Sequence, residues 1–353
     1  MNENELFEPK FTVKPQPVKT ILPVEKPNLI NMEAALKKKI IGQDTAISAI
    51  CRAIRRNAAG LRDPTRPVGC FLFLGMSGVG KTELCKAIAE YLYGSAQKLI
   101  KLDMSEYMAR WDASRLTGAA PGYTGYEEGG QLTNLVKQTP SAVLCIDELE
   151  KAHPDVLNVF LQIMNDATLT SSQGEVVSFK DVLIIMTSNI GSEAYNKRSS
   201  IGFTGDANVE SDITSDINIA LKKALKPEFI NRIDECVIFN RLYEKDIQKI
   251  CKILLNKVKL QAAKIGIKLD FDASVISELS RIGYDTEYGA RPLKRVIDVK
   301  INDMLADMII SDKLKSGLSA TISFDGNEFS VKNIKAIKIT KKYAERHGNS
   351  NYD

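Results

Sequence analysis

The chain has 353 residues, a net charge of only +4, and 44% hydrophobic and 26% charged residues, the composition of an ordinary globular protein with one or two domains. Because it has no dense Lys/Arg run, no membrane-length apolar run and no signal-peptide-like start, we expect no nucleic-acid partner, no membrane association and no secretion. Six scattered cysteines without a Cys-x-x-Cys pair favour reduced thiols and a cytoplasmic location over disulfides or a zinc site.

The first part of the chain divides into an arm and a large domain. Residues 1–30 are proline-rich and lack regularly spaced apolar residues, which predicts a disordered arm. Residues 31–240 begin with two predicted helices, at 32–39 and 43–59. Five short apolar runs follow, at 70–74, 99–102, 142–146, 182–186 and 236–239. Such runs, mostly separated by helices, are typical of buried parallel strands, so the predicted fold class is α/β with a doubly wound, five-stranded parallel sheet.

A smaller domain is predicted to follow at residues 241–340. It is mostly helical with some strand, an α+β arrangement. Three helices and then two weak strands are predicted in it, at 242–265, 273–282, 292–310, 320–324 and 328–331. The polar tail at 341–353 is predicted to fray.

A glycine-rich loop connects the first predicted strand to a helix predicted at 83–93, and it matches the pattern G-x-x-x-x-G-K-[ST] in the context that the pattern requires. Its glycines let backbone N–H groups face phosphates, and the helix N-terminus adds positive charge. Lys81 is expected to reach the β and γ phosphates, and the Thr82 hydroxyl to bind Mg²⁺. The predicted contacts with ATP are Gly75, Ser77, Gly78, Val79, Gly80, Lys81, Thr82 and Glu83.

The third predicted strand ends in two adjacent carboxylates, Asp147 and Glu148. Open α/β sheets bind ligands at this end of their strands. We therefore expect Asp147 to hold the Mg²⁺ shell and Glu148 to orient and deprotonate the attacking water, which is typically worth about 10²–10⁴ in rate. The pair favours ATP hydrolysis over the chemistry of small-molecule kinases or GTPases, and the chain has no Asn-Lys-x-Asp guanine signature.

Several longer stretches resemble, in order, the AAA+ superfamily, and within it the Clp/heat-shock unfoldases of the ClpA, ClpC and ClpB type. They are GAAPGYTGYEEGG at 118–130, DELEKAHP at 147–154, TSN at 187–189, PEFINRID at 227–234 and GARPL at 289–293. The resemblance extends from about residue 40 to about residue 324 and matches the second of the two ATPase rings in those proteins.

The resemblance implies catalytic roles for three further residues. Asn189 would be the first sensor, between Glu148 and the γ-phosphate. Arg232 would be the arginine finger that completes the site of a neighbouring subunit, which implies a homo-hexamer. Arg291 would be the second sensor, placed by Pro292 at the start of a helix.

The resemblance also suggests an adenine contact. Ile41 and Gly42 resemble the segment that packs on adenine in the family. Plain core packing explains these two residues almost as well, so both interpretations stay open.

Two further loops bear on partners. Tyr123 lies in the Gly-Tyr-Thr-Gly loop, which in the family lines the central pore and grips an extended polypeptide. The alternative is a turn whose tyrosine packs on its own domain. Ile201, Gly202 and Phe203 form an apolar tripeptide in a polar loop. This is the position at which family members that dock on the ClpP peptidase carry their docking loop.

The sequence as a whole predicts an ATP-dependent protein unfoldase and translocase. It would be the ATP-binding subunit of a Clp-type protease that threads polypeptides through a hexameric pore. A peptidase-independent chaperone or disaggregase is the main alternative. A non-catalytic ring subunit and a nucleic-acid motor are disfavoured, the first by the intact catalytic residues and the second by the modest charge.

Overall fold

Five parallel strands form the central sheet of the large domain. The computed structural model describes residues 27–60, 63–123, 125–192, 207–286 and 288–336, with backbone only at 207–214. The strands are β1 (Gly69–Leu74), β2 (Leu99–Asp103), β3 (Ala142–Asp147), β6 (Val182–Ser188) and β7 (Glu235–Ile238), in the spatial order β2-β3-β6-β1-β7. Every residue of β1 and β6 is buried. The predicted fold class is confirmed.

Helices cover both faces of this sheet, which is why its strands are apolar on both sides. Leu72 and Leu74 belong to the apolar cluster on one face, while Phe71 and Phe73 belong to the cluster on the other. The helices are α1 (Met32–Lys39), α2 (Asp44–Ala58), α3 (Lys81–Tyr93), α4 (Asp112–Thr117), α5 (Gln131–Gln138), α6 (Pro154–Asp166), α7 (Ala207–Ala224) and α8 (Pro227–Ile230).

A short antiparallel hairpin that the sequence analysis did not predict follows α6. It consists of β4 (Thr168–Thr170) and β5 (Val176–Ser178), paired outside the main sheet. Three-residue strands are too short for an alternating pattern to identify them, and this hairpin lies beside the loop that carries Tyr123.

The C-terminal domain packs four helical segments around a second, three-stranded sheet. They are α9 (Glu244–Lys264), α10 (Ala273–Ile282), α11 (Arg291–Ile297) and α12 (Asp303–Ile310), with strands β8 (Lys268–Phe271), β9 (Leu318–Phe324) and β10 (Phe329–Ala336). Strand β9 pairs in parallel with β8 and antiparallel with β10.

One prediction for this domain needs correction, and one strand was missed. The helix predicted at 292–310 is interrupted by a π-helical turn, Asp298–Asn302, which separates α11 from α12. Strand β8 was not predicted, because four residues directly after a long helix give no readable alternation.

Some predictions fall on residues that the structure does not describe. The tail at 341–353 and most of the arm at 1–30 lie outside the described residues. Within the described part of the chain, no helix combines the length and the apolar character needed to cross a membrane. All six cysteines lie in that part as free thiols, and each is buried except Cys236.

Candidate nucleotide-binding and hydrolysis site

The glycine-rich loop follows β1 and ends at the first residue of α3. Gly78 and Gly80 have φ angles of +71° and +104°, which side chains with a Cβ rarely adopt. Gly78 is also constrained by a neighbour, because a Cβ built on it would lie 1.9 Å from the carbonyl oxygen of Tyr288 in the small domain. The loop therefore contacts the second domain directly, and the Ala290 N–H donates to the Gly78 carbonyl at 3.3 Å.

Lys81 is buried inside this loop. Its Nζ donates to the carbonyl oxygens of Gly75 at 2.6 Å and Met76 at 2.9 Å, and to Asn189 Oδ1 at 2.9 Å. Burial lowers the pKa of Lys81 to about 8, against the opposing influence of nearby carboxylates, the first of which is Glu150. The carbonyls and the amide hold the ammonium where it can pair with phosphate oxygens.

Asp147, at the end of β3, is surrounded by three donors. Thr82 Oγ1 lies 3.4 Å from Asp147 Oδ1 and 3.3 Å from Oδ2. The Thr187 hydroxyl donates to Oδ1, and Lys101 Nζ lies 2.8 Å from Oδ2. A hydroxyl beside a carboxylate suits Mg²⁺, which uses one or two protein oxygens and keeps several waters. The predicted metal residues, Thr82 and Asp147, therefore fit the ion.

Glu148 follows with a left-handed backbone, φ 56° and ψ 49°. Such a conformation costs a non-glycine residue about 1–3 kcal/mol and is often found at active sites. The Glu148 N–H donates to Thr187 Oγ1 at 3.3 Å, so Thr187 supports both carboxylate residues. The Glu148 carboxylate lies 2.5 Å from Lys151 Nζ, and the sequence analysis did not assign Lys151 to the site.

Asn189 lies one residue after β6. Its N–H and Nδ2 donate to Glu150 Oε1 at 3.1 and 3.2 Å, while its Oδ1 accepts from Lys81. The structure thus brings Asn189 to Lys81 and Glu150, whereas Glu148 pairs with Lys151.

These side chains line one cavity of about 460 Å³ between the two domains. Residues 77–83 form its polar end, together with Asp147, Glu148 and Asn189. An apolar wall is formed by Ile40, Ile41, Leu242, Ile250 and Leu254, and Arg291 and Lys294 reach it from the small domain. A polar end beside an apolar wall suits a triphosphate joined to a flat base. Gly42 packs against the Leu242 side chain, where a Cβ would lie 2.9 Å from Cδ2.

A larger cavity of about 610 Å³ lies beside Asn189, lined by Glu150, Lys223 and the apolar residues Ile190, Ile219, Ala220 and Ala224. Neither Lys81 nor the loop glycines line it. The glycine-rich loop, Lys81 and Asp147 thus line the smaller cavity and not the larger one.

Gln43 is a site-supporting residue that the sequence analysis missed. Its side chain is fully buried, and its Nε2 donates to the carbonyl oxygens of Val79 at 3.2 Å and Asn240 at 2.9 Å. Its Oε1 accepts from the Asn240 N–H at 2.8 Å. One side chain thus links the phosphate loop to the segment that enters the small domain. A lone glutamine next to a helix start carries no sequence signal for this role.

Comparison with known proteins agrees with this geometry. The family model described as AAA domain (Cdc48 subfamily) matches residues 66–236, and the model for the C-terminal D2-small domain of ClpB protein matches residues 242–322. "Chaperone protein ClpB" of Rhodopirellula baltica is 42% identical over 329 residues, 93% of this chain and 37% of that protein.

Two further relatives carry other names. The "Negative regulator of genetic competence ClpC/MecB" of Bacillus subtilis is 40% identical over 318 residues, 90% of this chain and 39% of that protein. The "ATP-dependent Clp protease ATP-binding subunit ClpA homolog" of Cyanidium caldarium is 43% identical over 317 residues, 88% of this chain and 37% of that protein. The chain belongs to the Clp group of AAA+ proteins. It spans a little over a third of the length of these Clp relatives.

Two other predicted residues of this Clp-group chain, Arg232 and Tyr123, are not among the residues that line the cavity. Arg232 is exposed just after α8, and its carbonyl accepts from Arg66 Nη2 at 2.7 Å. Tyr123 is 73% exposed in the loop at 118–130. Ile201, Gly202 and Phe203 lie outside the described residues.

Proposed function

We propose that this chain is an ATP-driven protein unfoldase that works as a homo-hexameric ring. One observation carries the proposal: a chain with a two-domain nucleotide cavity also displays Tyr123, 73% exposed, on a loop with glycines on either side. An exposed aromatic side chain on a glycine-rich loop suits steric, sequence-independent contact with an extended polypeptide. Family membership supports the same proposal.

Hydrolysis is assigned to residues that converge at the polar end of the cavity. Lys81 pairs with the β and γ phosphates, and Thr82 and Asp147 hold Mg²⁺, which neutralises phosphate charge when bound. Glu148 orients the attacking water and takes its proton. Asn189, bonded to Lys81, positions that ammonium.

The ring is supported by the position of Arg232. This side chain is exposed and is not part of the cavity wall of its own chain, so it is available to the site of a neighbouring subunit. An arginine finger supplied in trans is worth about 10³–10⁵ in rate. Arg291 enters the cavity from the small domain, so nucleotide turnover can move one domain against the other and displace Tyr123.

The test of the catalytic assignment is the variant Glu148→Gln. It removes the base and keeps the shape, so we expect ATP to bind with unchanged affinity and turnover to fall by about 10²–10⁴. Mixing inactive Glu148→Gln subunits with inactive Arg232→Ala subunits should restore activity, because a Glu148→Gln neighbour still supplies its arginine. Normal turnover by Glu148→Gln would refute the assignment of Glu148 as the general base. If the mixture does not recover activity, Arg232 does not complete the site of a neighbouring subunit.

The destination of the polypeptide is a separate proposal. Ile201, Gly202 and Phe203 support docking on a ClpP-type peptidase, and one relative is named as a protease subunit. A chaperone without a peptidase is the second candidate, because other relatives are named chaperone proteins. A pull-down with ClpP, with and without deletion of residues 201–203, separates them. Binding that the deletion abolishes supports the peptidase, and no binding by either form favours the chaperone.

A further inference from the structure

The tip of the β4–β5 hairpin, residues 171–175, has a defined shape of its own. The Ser171 N–H donates to the Glu175 carbonyl at 2.8 Å, and the Gly174 N–H donates to the Ser171 carbonyl at 2.9 Å. The Glu175 N–H also donates to Ser171 Oγ at 3.2 Å. These bonds close the tip into a tight turn, on which Gln173 is exposed.

Gln173 reaches the loop that carries Tyr123. Its Nε2 donates to the backbone carbonyls of Tyr126 at 3.1 Å and Glu127 at 3.3 Å, on the returning side of that loop. One amide group therefore holds two successive carbonyls a few residues beyond Tyr123.

The hairpin also holds the entry to the Tyr123 loop and the helix that follows it. The Ser172 N–H donates to the Thr117 carbonyl at 2.9 Å, immediately before the loop. A Cβ on Gly118 would lie 2.1 Å from Ser172 Oγ, so the approach requires glycine there. Glu175 forms an ion pair with Lys137 on α5. The hairpin thus contacts the loop's entry, its return and the helix beyond it.

The return of the Tyr123 loop is also held by Asn134 on α5, whose Nδ2 donates to the Glu128 carbonyl at 2.7 Å, whereas the described residues nearer Tyr123 are open on their outer side. Gly122 and Gly125 both have φ of +88°, and a Cβ at either position would meet no atom within 4 Å. The Tyr123 side chain is 73% exposed. The loop's own turns are closed by bonds of 3.1–3.3 Å, such as that from the Tyr126 N–H to the Tyr123 carbonyl.

We propose that Gln173 is a positioning residue that ties the Tyr123 loop to the hairpin, so that the two loops move as one body. Its function in pulling a polypeptide rests on the proposed unfoldase activity, whereas the tie itself is a property of the single chain. Hydrogen bonds of this kind stabilise by about 1 kcal/mol each, so losing one or two of them should open the loop about 5- to 30-fold more often.

The experiment measures millisecond hydrogen exchange of peptides covering 119–128 in the full-length protein. Gln173→Ala removes the donor, and Gln173→Glu keeps the shape but turns an oxygen toward two carbonyl oxygens. Both should exchange about 5- to 30-fold faster than wild type. Gln173→Lys restores an N–H donor and should exchange at close to the wild-type rate. Gln138→Ala, which changes an exposed glutamine at the end of α5, is the matched control and should leave exchange unchanged.

The same variants are then assayed for ATPase activity and for unfolding of a tagged substrate. We expect ATPase within about twofold of wild type and slower unfolding by Gln173→Ala and Gln173→Glu, with recovery in Gln173→Lys. Unchanged exchange in both variants would refute the tie, and faster exchange with unchanged unfolding would refute the positioning role. If wild type itself unfolds nothing, the unfoldase proposal and the positioning role fail together, and exchange still decides whether the tie exists.

Discussion

The contact between Gly78 and the small domain gives a sharp test of how Arg291 is placed. In Gly78→Ala the new Cβ would lie 1.9 Å from the Tyr288 carbonyl oxygen and 3.2 Å from the Arg291 backbone nitrogen. Because heavy atoms do not approach a Cβ within about 3 Å, the segment that carries Tyr288 and Arg291 must move by about 1 Å. A displacement of that size can cost about 10²-fold in rate, so kcat/KM for ATP should fall about 100-fold, equivalent to about 2.7 kcal/mol.

The left-handed backbone of Gly78 adds a second effect that a control must separate. Gly94, at the C-terminal end of α3, has a φ of +74°, close to the +71° of Gly78, and a Cβ at Gly94 would meet no atom within 4 Å. Gly94→Ala therefore imposes the same strain, about 1–2 kcal/mol, without the collision. We expect both variants to unfold at lower urea concentration, but only Gly78→Ala to lose activity.

A double variant shows whether the loss acts through Arg291. If the displaced Arg291 explains the defect, combining Gly78→Ala with Arg291→Ala should be little worse than Arg291→Ala alone. Equal kcat/KM for Gly78→Ala and Gly94→Ala would refute the argument, and fully additive losses would assign the defect to another part of the loop.

Three further predictions concern groups around the site and the first helix. Gln43→Leu leaves a buried carbonyl of the phosphate loop without its donor, so the free energy of unfolding measured in urea should fall by about 3 kcal/mol; an unchanged value would refute its bridging role. Lys101→Met removes the ammonium beside Asp147, and kcat for ATP should fall about tenfold while Lys101→Arg stays near wild type; equal losses in both would contradict a charge role. Hydrogen bonding to Ser48 and Lys37 lowers the pKa of Glu33 to about 2, below its unfolded value, so its stabilisation is present above about pH 4.5 and lost toward pH 2. The difference in free energy of unfolding between wild type and Glu33→Gln should therefore shrink as the pH is lowered from 5 to 2. A constant difference would show that ionised Glu33 does not stabilise the fold.

The large-domain sheet was predictable because its strands are buried on both faces and therefore form unbroken apolar runs. The prediction for 142–146 differs from the observed β3, Ala142–Asp147, by one residue at the end. The phosphate loop was predictable for a related reason, since its glycines, Lys81 and Thr82 stand at fixed spacing in one short segment.

The supporting residues were not predictable, because their partners are distant in sequence. Gln43 bonds to Asn240, Lys101 to Asp147, and Gln173 to the carbonyl of Tyr126. Each is a common polar residue whose position becomes informative only when the chain is folded. The π-helical turn after Ile297 could not be predicted from the sequence either, since the apolar residues on either side continue a helical pattern.

The proposed unfoldase depends above all on ATP hydrolysis moving Tyr123 against a polypeptide. Its most direct test measures unfolding of a tagged fluorescent protein by Tyr123→Ala, with Tyr123→Phe as the matched variant. Because the contact is steric, we expect Tyr123→Ala to keep ATPase activity within about twofold and to lose at least about 90% of the unfolding rate, while Tyr123→Phe unfolds at close to the wild-type rate. Unfolding by Tyr123→Ala at the wild-type rate would show that Tyr123 does not pull the polypeptide.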